Sequence, residues 1–134
     1  VSLRDAPRWA RKFLPFSGEG VARGPAGEQH GRMDRHTLLS REDVATDLVG
    51  SGFRHDGERL TGEFRTADFA SAVRLLDTVA VEADSMNHHP DVHLGWGRIE
   101  FDLLSHDVGG VTARDVALAR RIGEIVREQG AVAN

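Results

Sequence analysis

Eight residues constrain this chain more than any others: Asp84-Ser85-Met86-Asn87-His88-His89-Pro90-Asp91. Pro90 has no backbone N–H, and its ring disfavours helical geometry at the residue before it. A helix arriving here has to end at about His89, and the chain leaves as an extended segment. Both imidazoles therefore project from the end of a helix. Imidazole is the side chain whose ordinary pKa lies nearest neutrality, which suits proton transfer. A third imidazole, His106, stands in Ser105-His106-Asp107 at the end of the second of two predicted strands. If those strands pair as a hairpin, His106 returns close to the corner. The expected product is an acid/base cluster assembled from one βαββ neighbourhood.

The elements around the corner follow from spacing. Ser40-Arg41-Glu42-Asp43 has the form of a capping box, and Val44, Ala45, Leu48 and Val49 follow at helical spacing up to Gly50. Phe53-Arg54-His55, the turn signal Asp56-Gly57 and Leu60 to Arg65 read as a hairpin. Thr66 is expected to cap the next helix, with Phe69, Val73, Leu76, Ala80 and Ala83 as its buried stripe. Val92 to Trp96 and Arg98 to Leu104 read as two more strands turning at Gly97, with Ile99, Phe101 and Leu103 on one face of the second. Thr112-Ala113-Arg114-Asp115 caps a last helix that buries Leu118, Ala119, Ile122, Ile125 and Val126 and closes at Gly130. The expected fold class is α+β, in the order αββαββα. A four-stranded antiparallel sheet with the helices packed on one face is the economical packing.

Residues 1–34 read differently. Gly18, Gly20, Gly24, Gly27 and Gly31 alternate with Pro7, Pro15 and Pro25, so no helical or strand period persists. A disordered N-terminal extension is expected there, with the domain over 35–134. Met33 raises the hypothesis of a natural start, the residues before it being an upstream extension of the reading frame. Residues 1–32 hold six basic and three acidic side chains, whereas the rest holds 11 and 18. An acidic body argues against nucleic acid as the main partner. With no cysteine there is no disulfide, thiolate metal site or thiol nucleophile. No apolar run approaches the roughly 18 residues of a membrane span. The expected setting is the cytoplasm, away from membranes.

Each candidate has a plain alternative. Asp115, at the third position of the last helix, caps backbone N–H groups whatever else it does. Asp84 precedes His88 by one helical turn, the spacing at which a carboxylate meets an imidazole. Trp96 is either core or an aromatic wall for a flat ligand, and Asp91 and Asp107 suit turns and strand ends. His93 is expected to face water, and His30, His36 and His55 are given no role. A metal set of His89, His93 and His106 is disfavoured, because Pro90 denies the first two a common helical face. No metal and no cofactor are expected.

Asp84-x3-His88-His89-Pro90, Trp96, Ser105-His106-Asp107-x-Gly109-Gly110 and Thr112-x-Arg114-Asp115 together resemble the pterin-4a-carbinolamine dehydratase family over residues 36–130. The resemblance implies an αββαββα fold and homodimers or homotetramers joined through edge strands or helices. It implies a substrate, a 4a-hydroxytetrahydropterin made by an aromatic amino acid hydroxylase, and a product, quinonoid dihydropterin. His88 and His106 would then be the acid/base pair and His89 a pterin-holding residue. Asp84 would support His88, where the family usually carries Glu. Pro90, Trp96, Ser105, Asp107 and Asp115 complete the implied substrate-binding set. Val92 stands where the family commonly has an aromatic, so Trp96 or Phe53 is expected to shelter the ligand instead. Relatives that act as dimerisation cofactors or assembly factors supply a non-catalytic alternative, for which three intact histidines are not required.

Overall fold

The computed structural model describes residues 36–134, and the expectations for residues 1–34 lie outside that span. Eight elements follow in order: α1 (Arg41–Val44), β1 (Phe53–His55), β2 (Leu60–Arg65), α2 (Phe69–Met86), β3 (Asp91–Gly95), β4 (Arg98–Leu103), α3 (Ala113–Glu128) and β5 (Val132–Ala133). The sheet runs β1-β2-β4-β3, entirely antiparallel, and β5 adds to β2 beyond the end of β1. The fold is α+β with the helices on one sheet face, as expected, and the short β5 makes the sheet five-stranded rather than four-stranded. β5 exists because Gly130, at φ +79°, reverses the chain after α3 and lays Val132 beside Arg65.

The core lies between sheet and helices. Leu60 and Phe64 of β2 and Ile99, Phe101 and Leu103 of β4 meet Leu118, Ala119, Ile122 and Ile125 of α3, all essentially inaccessible to water. Gly123 permits a close approach of backbone to α3: a Cβ there would stand 2.8 Å from the carbonyl oxygen of Ser51.

Three helical expectations need correction. The capping box at Ser40 forms, with Ser40 N–H donating to Asp43 at 2.8 Å, but α1 lasts one turn. Thr46 and Asp47 are poor helix formers, Val49 is 80% exposed, and only Val44 and Leu48 are buried. The cap of α2 is Asp68, which accepts the Ser71 N–H at 2.8 Å, while Thr66 lies two residues too early. The buried stripe of α2 is Ala72, Leu75, Val79 and Ala83, so of the stripe read from Phe69 Ala83 alone is fully buried. Phe69 and Val73 are 48% and 44% exposed, and Ala80 is exposed as well. α2 carries two apolar stripes, and spacing alone does not say which one the sheet covers.

Candidate active site

α2 ends at Met86 because Asn87 adopts the left-handed conformation, φ 52°, that terminates helices. His88 N–H then donates back to the Ala83 carbonyl at 3.1 Å. The helix therefore stops before either histidine, and Pro90 only confirms the extended exit. His88 has left the helix and turns inward, where its Nε2 lies 2.5 Å from Asp115 Oδ1. Asp84 consequently does not reach His88. It takes the next imidazole instead, with His89 Nε2 at 2.8 Å from Asp84 Oδ1 on the exposed side of the corner.

Asp115 organises the buried half of the site. It is fully buried and uses both oxygens. Oδ1 meets His88, and Oδ2 accepts the Ser105 hydroxyl at 2.7 Å and the Thr112 N–H at 2.9 Å. The capping role read from sequence is real, and the same carboxylate also reaches three segments of chain. A His88 that donates to this carboxylate through Nε2 carries its lone pair on Nδ1. Ser105 Oγ and Thr112 Oγ1 stand 2.9 Å apart, which completes a buried polar network without a charged partner from solvent.

His106 follows Ser105 directly and is exposed. Its turn is closed by Ser105 N–H to Gly110 O at 2.9 Å and Gly109 N–H to Ser105 O at 2.9 Å. The β3–β4 hairpin forms with Val92 opposite Phe101, so the chain does return to the corner. Because Ser105 shares Asp115 with His88, His106 is tethered within one residue of the carboxylate that holds the first histidine.

Asp107 accepts a hydrogen bond from Arg114 at 2.8 Å and pairs with His36 Nδ1 at 3.1 Å. The Arg114 guanidinium holds the Asp107 carboxyl below its ordinary value. Sequence reasoning gave His36 no role and did not single out Arg114 or Thr112 as site residues. The cap-like spacing Thr112-x-Arg114-Asp115 was the available signal. Trp96 is 74% exposed in the β3–β4 turn, at the opposite end of β3 from Pro90, about 17 Å along a strand of that length. Phe53 is buried in the core. Neither stands beside the corner within this chain. Among the described residues one group has metal-ligand spacing, and it is His93, Glu100 and Asp102 rather than three histidines.

Residues 37–125 match the family model described as pterin 4 alpha carbinolamine dehydratase. A relative from Nocardia farcinica, provisionally named for that activity, is 37% identical over 91 residues, 67% of this chain and 96% of its own. One from Sulfurisphaera tokodaii, with the same provisional name, is 41% identical over 89 residues, 66% of this chain and 96% of its own. A solved structure from Brucella melitensis, titled a transcriptional coactivator/pterin dehydratase, superposes with TM-score 0.61 at 27% identity, over 66% of this chain and 98% of that one. With the fold and the corner at His88-His89-Pro90 described, the match over residues 37–125 places this chain in the pterin 4 alpha carbinolamine dehydratase family.

Proposed function

We propose that this protein dehydrates a 4a-hydroxytetrahydropterin to the quinonoid dihydropterin, using imidazole acid/base chemistry. The observation that carries the proposal is that two successive imidazoles are each held by a carboxylate, His88 by Asp115 and His89 by Asp84, while Ser105, next to His106 in the chain, donates to the same Asp115. The C4a–O bond breaks as a ring-nitrogen lone pair pushes electrons into the ring. The departing hydroxyl needs a proton, and a ring N–H must give one up. His88, with Nε2 held by Asp115, presents Nδ1 as the base, and the buried carboxylate stabilises the imidazolium that forms. His106, exposed on its turn, supplies the proton that leaves with the hydroxyl. His89, oriented by Asp84, holds the pterin against Pro90. Ser105 and Asp107 fix the two ends of the segment that carries His106.

The substrate class is the product of an aromatic amino acid hydroxylase, which the protein would serve by regenerating the oxidised pterin. A homo-oligomer fits two surfaces left open among the described residues: the outer edge of β3 and the exposed stripe Phe69–Val73 on α2. That stripe is also the observation that favours a second reading, in which the fold serves as an assembly module for another protein. One measurement tests the catalytic reading. Purified protein is expected to accelerate the disappearance of enzymatically generated 4a-carbinolamine above its spontaneous rate. An unchanged rate would leave the assembly role standing alone.

A further inference from the structure

The sheet face turned away from the helices carries side chains in cross-strand rows. Register places Thr61, Asp102 and Asp91 in one row and Glu63, Glu100 and His93 in the next. Strand alternation sets all six opposite to the core residues Ile99, Phe101 and Leu103. Two like-charged pairs thus stand directly across from each other, Glu63 with Glu100 and Asp91 with Asp102, an arrangement that destabilises a sheet. Arg98 answers the first pair, at 3.0 Å from Glu63 and 3.5 Å from Glu100. Arg54 stands in the row of the second, two strands from Asp102, but among the described residues no Lys or Arg forms an ion pair with Asp91 or Asp102.

Asp102 is 8% exposed, so its carboxylate is withheld from water as well. Oδ1 accepts the Thr61 hydroxyl at 3.0 Å. Oδ2 is aimed at His93, whose Nε2 stands 3.9 Å away, too far for a hydrogen bond. A buried carboxylate oxygen with no donor is costly unless a cation meets it. Ligand atoms of His93, Glu100 and Asp102 all lie within 4.8 Å of one another. Two ligands on one zinc ion, each at about 2.1 Å, stand roughly 3–4 Å apart, so a small rotation of the 67% exposed His93 ring closes the triangle.

We propose that His93, Glu100 and Asp102 bind a divalent first-row transition cation on the open face of the sheet, with water in the remaining positions. An imidazole with two carboxylates and no sulfur is a borderline nitrogen–oxygen set that holds Zn2+ more tightly than Mn2+ or Mg2+. The ion relieves the Asp91–Asp102 row and ties the edge strand β3 to β4. It is independent of the dehydratase reading, since Asp115 and His88 belong to the helix side of the sheet.

The test is calorimetric titration of tag-free full-length protein, stripped with chelator, with ZnCl2 and separately with MgCl2. One Zn2+ per chain is expected, with a higher thermal midpoint in its presence. His93→Ala and Glu100→Gln are each expected to weaken Zn2+ binding by at least about tenfold. Asp102→Asn should do the same, and His93→Ala keeps the test valid if burial makes Asp102→Asn unstable. No binding, equal affinity for Mg2+, or unaltered Zn2+ binding in His93→Ala would overturn the proposal. So would loss of binding in His89→Ala or His106→Ala with none in His93→Ala.

Discussion

Asp115 is the residue on which the corner depends most. Asp115→Ala removes the acceptor for His88, the Ser105 hydroxyl and the Thr112 N–H at one stroke. Leaving buried donors without partners costs on the order of 3 kcal/mol or more, so a clear drop in the urea midpoint is expected. The histidines carry unequal loads. His88→Ala and His106→Ala should each lower kcat, and the double variant should lose less than the product of the two, because they act as a unit. His89→Ala should raise KM more than it lowers kcat. Since Asp84 holds His89 and not His88, Asp84→Ala should share the His89→Ala pattern in steady-state kinetics. An Asp84→Ala variant that instead lost kcat at constant KM would return Asp84 to the support of His88.

At the level of the element, α2 has one stripe against the sheet and another facing out. Val79 is fully buried and Val73, six residues earlier, is 44% exposed. Val79→Asp is expected to unfold the chain, because an unpaired charge would replace core volume. Val73→Asp should leave the circular dichroism and thermal midpoint of the protomer nearly unchanged and reduce the mass seen by light scattering. A constant mass would exclude that stripe from the oligomer contact. The turn that carries His106 is anchored through Asp107, whose carboxyl is held below its ordinary value of 3.8 by Arg114. A depressed carboxyl contributes fully above its unfolded value and loses that contribution only as pH falls through its folded value. Between pH 5 and 8 the anchor stays ionised, so a bell-shaped rate profile in that window reports groups other than Asp107. Asp107→Asn should preserve the profile's shape while lowering its height.

Among the described residues the sheet has one edge at β3 and a second at β1 and β5. The five-residue edge at β3 is a ready surface for a second copy. A protein that works as a homo-oligomer is therefore expected, and a monomer at micromolar concentration in light scattering would sink that argument. Every described element and every candidate site residue lies after Met33. A chain beginning at Met33 should keep both its thermal midpoint and its dehydratase rate. A large fall in the midpoint would show that residues 1–32 dock on the domain. Among the described residues no helix is long and apolar enough to cross a membrane.

Local chemistry was legible without coordinates. The turn at Asp56-Gly57, the capping boxes at Ser40 and Thr112, the alternation of β4 and the stripe of α3 all rest on interactions within a few residues, and all formed. The His-His-Pro corner and the family motif were equally plain in the chain. What depended on tertiary structure was the choice between equivalents. α2 offers two apolar stripes, and only the position of the sheet decided that Ala72, Leu75, Val79 and Ala83 go inside. Two adjacent histidines and two distant aspartates allow more than one pairing. The left-handed turn at Asn87 separated them, sending His88 in to Asp115 and leaving His89 to Asp84. Asp102 alternates with core residues and so reads as solvent-facing, yet cross-strand neighbours bury it. Spacing along the chain reports which side chains share a face, whereas the partner of each is set by chain segments that meet only in the fold.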